Sequence, residues 1–423
     1  MTYWPAPHAS RPVDAVVPIP GSKSMTNRAL LLGALADAPS LITRPLHARD
    51  TDLMARALYS LGAGITEHDG DWAITPATLQ GPASVDVGLA GTVMRFVLPL
   101  AGLADGPVHF DGDPRSHERP LGPLIGALRT IGVDIDDAGR GALPLTVHGR
   151  GSVAGGPVGI DASGSSQFVS ALLLAAPKFD KGIELRHSGG PLPSLPHIAM
   201  SVAMLRAAGV DVDDSEPALW RVHPAPIRLG EIAIEPDLSN AAPFLAAALV
   251  TSGRVRIPDW PAQTTQPGAQ LPALLHEMGA TTSIDEGGLT VRGGGVIHGL
   301  DADLHDVSEL APVLAALCAL ADGPSRLTGL AHTRGHETDR LAALARELDR
   351  AGAGVEESED GLLIRPRPVR AAAFASYADH RMAQAGAVLG LAAEGTEVED
   401  IATTGKTLPD FVGMWNGMLG VPR

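Results

Sequence analysis

One cysteine in 423 residues, aromatic side chains at only 4%, and no apolar run near the ~18 to 20 residues of a membrane span are what this chain lacks. A single Cys318 excludes a disulfide framework, and its place in the apolar run VLAALCALA reads as a buried thiol rather than a nucleophile. With few aromatics, 45% hydrophobic residues, 49 Gly and 35 Pro, the core must be built from Ala, Leu, Val and Ile between many tight turns, as in α/β layers. The opening MTYWPAPHASRP has no apolar core of a secretory signal, so a cytoplasmic protein without a membrane partner is expected. Basic residues are scarce as well: 32 Lys plus Arg stand against 48 Asp plus Glu, for a formal charge of −16. No basic run exists to hold nucleic acid. In so acidic a chain, any local gathering of Lys and Arg points to an anionic small molecule.

The first such gathering is PGSKSMTNR, Pro20 to Arg28. A turn made by Pro20 and Gly21 leads into Lys23 and Ser24, and the apolar run Ala29 to Leu35 follows directly. Ser24 reads as the N-cap of a helix whose first backbone N–H groups lack internal partners, with Lys23 and Arg28 adding charge at that end. Phosphate or carboxylate is the expected guest. A nucleotide P-loop is excluded, since that motif needs glycine directly before the lysine and Ser22 stands there.

The whole chain repeats one pattern: an amphipathic helix, a glycine, a β-like run, a turn, and a second β-like run. It is written as ALYSLGAGITEHDGDWAITP, ALRTIGVDIDDAGRGALPLTVHG, MLRAAGVDVDDSEPALWRVHP, LLHEMGATTSIDEGGLTVRG and ELDRAGAGVEESEDGLLIRP, and a sixth copy stops at MWNGMLGVPR. The punctuating glycines Gly62, Gly132, Gly209, Gly279, Gly352 and Gly420 are spaced 70, 77, 70, 73 and 68, and each is expected in the left-handed conformation that ends a helix. A second register opens apolar runs at Ser24, Thr92, Ser166, Ser239, Ser308 and Asp379. Between the two, VHFDG, IELRHSG, VRIPDW and SRLTGL read as strands. Six βαβαββ units in 423 residues predict an α/β protein of two domains with three units each. The divide falls between the third and fourth copies, near Glu235 to Ser239, and residues 1–20 could supply the strand missing from the sixth copy.

Chemistry concentrates where helices open. One set gives Lys23, Ser24, Arg28, Gly91, Thr92, Ser165, Ser166, Gln167, Asp237, Ser239, Asp306, Glu309, Asp379, His380 and Arg381. The other gives Arg49, Asp52, Arg119, Ser194, His197, Gln266, His336, Glu337, Arg340 and Lys406. Ser, Thr and Asp have a structural use there as caps. Cations do not, because Lys or Arg opposes the dipole at a helix N-terminus unless an anion intervenes. Lys23, Arg28, Arg119, Arg340, Arg381 and Lys406 therefore point together to ligand phosphates and carboxylates.

PGSKSMTNR, GLAGTVMR, GDPRSHERP, the SSQF stretch, HETDRL, ADHRMA and KTLPDF, in that order across the chain, resemble the 5-enolpyruvylshikimate-3-phosphate synthase family. The resemblance implies a two-domain inside-out α/β barrel with three βαβαββ units per domain, closing on its substrates at a hinge. It implies that residues 1–20 join 237–423 as the phosphoenolpyruvate side and that 21–236 form the shikimate 3-phosphate side, with crossings near Pro20 and Pro236. Carried over to this chain, shikimate 3-phosphate would meet Lys23, Ser24, Arg28, Ser165, Ser166, Gln167, Ser194, Glu309 and His336. Phosphoenolpyruvate would meet Lys23, Gly91, Arg119, Gln167, Arg340, Arg381 and Lys406. Hydroxyls and guanidinium groups suit a phosphate monoester, and paired arginines can grip a carboxylate bidentately.

The implied reaction moves the enolpyruvyl group to the 5-hydroxyl of shikimate 3-phosphate and releases phosphate, using neither metal nor organic cofactor. Lys23, Glu309 and Glu337 would be the catalytic residues, with Asp306 as a rival to Glu309 for the base. A monomer is expected. Gly91 is expected to leave room for glyphosate, which in the family occupies the phosphoenolpyruvate site. The chain departs from the family pattern at Leu89, where Asn is common, at His197 for Tyr, at His336 for Lys, and at Phe96 for Pro. Two alternatives stand beside this reading. One is the sister enolpyruvyl transferase acting on UDP-N-acetylglucosamine, which carries a loop cysteine that Cys318 does not match. The other is an anion-binding relative without catalysis.

Overall fold

The computed structural model describes residues 2–421. The chain forms two compact units, one of Gly21–Ile234 and one of the flanking stretches up to Pro20 and from Glu235 onward. It therefore passes between units twice, after Pro20 and after Ile234. Each unit has its own apolar core, running from Met25 to Ile234 in one and from Val13 to Met418 in the other.

In the Gly21–Ile234 unit, the helices Gly91–Leu103 and Gln167–Ala175 are apolar on nearly every side, Lys23–Leu35 is so from Ala29 on, and all three are buried from their first turn. The flanking unit has the matching set Ala242–Val250, Ala311–Ala319 and His380–Gly390. A helix apolar all round can be stable in water only when enclosed, so these are the inner helices of each unit. Each is followed along the chain by a second helix with a solvent face: Arg49–Ser60, Gly122–Thr130 and Leu195–Ala207, then Leu271–Glu277, Arg340–Arg350 and Phe411–Leu419.

All six second helices close alike. Gly62, Gly132, Gly209, Gly279, Gly352 and Gly420 have φ between 67° and 108°. The N–H after each glycine bonds back to the carbonyl five residues earlier, from Ala63 to Leu58, Val133 to Leu128, Val210 to Leu205, Ala280 to Leu275, Ala353 to Leu348 and Val421 to Asn416, at 2.9–3.1 Å. This is the Schellman closure, which satisfies an orphan carbonyl at a residue any Cβ would strain.

The openings are less uniform. The first inner helix is capped by Ser22, whose Oγ accepts from the Met25 N–H at 3.5 Å, and Ser24 lies inside the first turn. The expectation of Ser24 as cap is corrected by that reach: a cap side chain serves the third helical N–H, so it must precede the first helical residue. Asp379 is a cap, accepting from the Arg381 N–H at 2.8 Å, and Ser166 occupies the cap position without a side-chain bond. Thr92 lies within its helix, Ser308 opens a 3-10 turn, and Ser239 stands in the turn before Ala242.

Six small sheets accompany the helices, all with one pattern: two parallel strands, then strands antiparallel to their neighbours. In four of them an inner helix makes the crossover that a parallel pair requires. The expected strands appear at Asp105–Asp111, Ile183–His187, Arg254–Ile257 and Ser325–Thr328. The sixth sheet receives Tyr3–Pro5 from the chain start, antiparallel to Glu397–Glu399. At the two crossings the leading strands are exchanged. Asp14–Val16 precedes the first inner helix yet lies parallel to Arg254–Ile257, with Ala15 opposite Val255. Glu231–Ala233 precedes the fourth yet lies parallel to Ser40–Thr43, with Ile232 opposite Ile42. The result is the inside-out α/β fold in two units of three repeats.

Candidate active site

In the Gly21–Ile234 unit, the starts of the three inner helices are tied together by polar side chains. Lys23, the first helical residue, lies 3.8 Å from the buried Asp50 carboxylate. One turn on, Asn27 donates to Thr92 Oγ1 at 2.6 Å, joining the first and second inner helices. Arg28 is 1% exposed. Its Nε donates to Ser201 Oγ at 2.8 Å, Nη1 to the Ser24 carbonyl at 2.9 Å, and Nη2 to the His197 carbonyl at 2.9 Å and Ser170 Oγ at 3.4 Å. The guanidinium also lies over the Phe96 ring, 5.1 Å from its centroid. Arg28 is thus an internal brace between helices.

Gly91 opens the second inner helix between two guanidinium groups. A Cβ there would lie 2.8 Å from Arg119 Nη2 and 2.9 Å from Arg95 Nη1. Arg95 reaches the third inner helix through Gln167 Oε1 at 2.7 Å, and Arg119 Nη1 donates to the Leu89 carbonyl at 3.1 Å. That last bond uses the backbone of Leu89, so it does not depend on the side chain that departs from the family pattern. Arg119 Nε is buried with no hydrogen-bond partner among the described residues. A buried orphan donor is costly unless a ligand acceptor meets it. Ser165 Oγ accepts from the Gln167 N–H at 3.3 Å, and Ser194, at φ 53°, holds the left-handed turn before Leu195–Ala207. This unit therefore brings together the starts that carry Lys23, Ser24, Gly91 and Gln167, with Arg119 packed against Gly91.

The flanking unit gathers three cations and three carboxylates. Arg340 opens its helix and donates Nε to Asp379 Oδ2 at 2.8 Å, Nη2 to Asp379 Oδ1 at 3.3 Å, and Nη2 to Glu337 Oε2 at 3.1 Å. Burial alone would disfavour its charge, but Asp379, Glu337 and Glu309 outweigh that and hold its pKa above the ordinary value. Lys406 Nζ donates to the other Glu337 oxygen, Oε1. Arg381 donates Nη2 to Glu309 Oε2 at 3.3 Å. Asp306 lies 3.8 Å from His305 Nδ1, while Glu309 joins the cation cluster.

His336 Nδ1 is 3.1 Å from Arg340 Nη1. Arginine only donates, so Nδ1 accepts and a neutral His336 carries its proton on Nε2. His332 bonds Ser308 Oγ through Nε2 at 2.9 Å. Burial first, then His305 and Arg340, press its pKa down to about 4. Lys406 corrects one expectation: it closes the 3-10 turn Ile401–Lys406 instead of opening a helix, because Pro409 delays the next helix to Phe411. Cys318 is buried, its thiol pushed up to about 12 by desolvation, and is no acid at this site.

Several partners escaped the sequence reading: Asn27, Asp50, Arg95, Ser170 and Ser201 in one unit, Asn240 and Gln384 in the other. Arg95 had a signal, standing four residues after Gly91 and so on the same helix face. Asn240 had none, since its side-chain partners lie more than 140 residues away.

Comparison with solved structures places this fold. An EPSP synthase from Acinetobacter baumannii superposes with a TM-score of 0.80 at 23% identity, covering 98% of this chain and 97% of that one. The enolpyruvyl transferase NikO from Streptomyces tendae superposes at 0.75 and 18% identity, covering 98% and 97%. The architecture is thus the one these transferases have. The family model described as EPSP synthase (3-phosphoshikimate 1-carboxyvinyltransferase) matches residues 7–415. A protein of Kocuria rhizophila named 3-phosphoshikimate 1-carboxyvinyltransferase is 54% identical over 99% of this chain and 96% of its own length. The chain belongs to the EPSP synthase family.

Proposed function

We propose that this protein transfers the enolpyruvyl group of phosphoenolpyruvate to the 5-hydroxyl of shikimate 3-phosphate and releases phosphate. The observation that carries the reading is the buried cluster of Arg340, Arg381 and Lys406, each bonded to a carboxylate of Asp379, Glu309 or Glu337. Such a cluster offers an anion several donors at once and keeps acid-base groups beside them. An anion-binding protein without catalysis has no use for Glu337 and Glu309 in that position.

On this reading Lys23, Ser24, Arg28, Ser165, Ser166, Gln167, Ser194, Glu309 and His336 hold shikimate 3-phosphate. Lys23, Gly91, Arg119, Gln167, Arg340, Arg381 and Lys406 serve phosphoenolpyruvate. The orphan Nε of Arg119 supports an acceptor beside Gly91. The first unit is read as the shikimate 3-phosphate side and the other as the phosphoenolpyruvate side.

The chemistry is addition followed by elimination. Protonation of the methylene carbon of phosphoenolpyruvate makes its C2 electrophilic, and the 5-hydroxyl attacks C2 as Glu309 takes its proton. The resulting tetrahedral ketal carries the phosphate, which leaves as the new methyl group gives up a proton and the double bond re-forms. Glu337, with Lys23, handles the proton at that carbon. Glu337 is held by Lys406 and Arg340, so an arriving anion competes for the same donors and leaves the carboxylate beside the reacting carbon. No metal or organic cofactor enters these steps. We read the protein as a cytoplasmic monomer that acts on small molecules and holds no nucleic acid; among the described residues no helix is long and apolar enough to cross a membrane. Phosphate release requiring both substrates, with none from UDP-N-acetylglucosamine, is the expected result; release from the UDP-sugar instead would assign the sister activity.

A further inference from the structure

The geometry points to Asn240 as a positioning residue that fixes Arg381 and the Lys406 segment relative to each other, and so sets how the phosphoenolpyruvate anion is gripped. This rests on the reading above, which gives those two cations to phosphoenolpyruvate. Asn240 is 1% exposed, in the turn before the helix Ala242–Val250, with its backbone N–H bonded to Asp237 Oδ1 at 2.9 Å. Its side-chain oxygen accepts from Arg381 Nη1 at 3.2 Å, Gln384 Nε2 at 3.2 Å and Thr407 Oγ1 at 3.3 Å. Its amide nitrogen donates to the Thr407 carbonyl at 3.1 Å. The amide orientation follows from chemistry: a guanidinium only donates, so the atom facing it must be the oxygen.

One side chain therefore joins three chain segments: the turn at 240, the first turn of the helix His380–Gly390, and the residue directly after Lys406. Gln384 completes the hold, since its Oε1 accepts from Arg381 Nη1 at 3.3 Å. Both hydrogens of Nη1 are then taken by Asn240 and Gln384, and one of Nη2 by Glu309. What Arg381 still offers is Nε–H and one Nη2 hydrogen, the two nitrogens of a single edge, on which a carboxylate or phosphate sits bidentately. Asn240 thus selects which edge of the guanidinium meets the ligand. Through Thr407 it also holds the main chain next to Lys406, which limits how far the two cations can drift apart.

The test compares wild type with Asn240→Ala and Thr407→Val in steady-state kinetics, with phosphoenolpyruvate binding by calorimetry in the absence of shikimate 3-phosphate, so that no turnover consumes the ligand. The valine variant removes only the hydroxyl and stands in if the alanine variant misfolds. The expected result is a KM and Kd for phosphoenolpyruvate raised about 10-fold in Asn240→Ala and about 3-fold in Thr407→Val, with the KM for shikimate 3-phosphate within about 2-fold. Lowered melting temperatures with unchanged phosphoenolpyruvate affinity would overturn the inference and leave the proposed activity standing. Absence of turnover in the wild type would overturn the activity, and calorimetry would still report whether Asn240 governs anion affinity.

Discussion

Arg340 and Asp379 share two hydrogen bonds, Nε to Oδ2 at 2.8 Å and Nη2 to Oδ1 at 3.3 Å, and the carboxylate is completely buried. The same carboxylate caps the helix that carries Arg381. Asp379 thus sets two cations of the proposed anion site at once. Asp379→Ala should lower kcat/KM on the order of 100-fold or more and destabilise the fold by roughly 3 kcal/mol, because the buried Arg340 loses its two-bonded partner and keeps only Glu337. Steady-state assays and urea unfolding check both; wild-type activity in a folded variant would refute the role.

Gly91 separates Arg119 from Arg95, and an added Cβ would stand 2.8 and 2.9 Å from their terminal nitrogens. Those are flexible side-chain ends, so they move and the backbone stays. Gly91→Ala should fold with an unchanged melting temperature and raise the KM for phosphoenolpyruvate about 10-fold, since the displaced donors no longer converge. Glyphosate, expected to compete with phosphoenolpyruvate in the wild type, should compete less well in the variant.

Arg28 is bonded to Ser201, Ser170 and the carbonyls of Ser24 and His197 while fully enclosed. Its removal takes a charged donor from two buried hydroxyls and two carbonyls and empties the space its side chain fills. Arg28→Ala should therefore cost roughly 2–4 kcal/mol of stability in chemical denaturation, over and above any loss of shikimate 3-phosphate affinity. An unchanged unfolding midpoint would contradict the internal-brace assignment.

His332 has a pKa lowered from 6.5 to about 4, by burial first, then by His305 and Arg340, with Asp360 opposing. The folded state therefore favours the neutral ring. Its contribution to stability is complete above pH 6.5 and is lost as pH falls from there toward 4, at up to roughly 1.4 kcal/mol per pH unit. Melting temperature measured from pH 7 to 4 should fall less steeply in His332→Asn than in the wild type; parallel curves would contradict the assignment.

The repeat could be read from the chain because it is local. A glycine after an amphipathic helix closes a Schellman turn using only its neighbours, and all six did so. The cap is Ser22 and not Ser24, two chemically alike residues that only the helix start tells apart. Lys406 has the pattern of a helix opener, but Pro409 separates it from the helix that starts at Phe411. The exchange of leading strands, Asp14–Val16 for Glu231–Ala233, pairs segments about 190 to 240 residues apart, which no periodicity encodes. Lys23, Arg340 and Arg381 stand out because they open helices and oppose the dipole there. Their supports, Asn240, Gln384 and Asp50, are ordinary polar residues, and only folding shows what they hold.

The central claim is that the clustered cations serve enolpyruvyl transfer to shikimate 3-phosphate. The most direct measurement is phosphate release by the purified protein given phosphoenolpyruvate with shikimate 3-phosphate, with UDP-N-acetylglucosamine, or alone. Release with shikimate 3-phosphate only, abolished in Glu337→Gln while that variant still binds both substrates, is the predicted result. Release with the UDP-sugar, or binding of shikimate 3-phosphate and phosphoenolpyruvate without any release, would contradict it.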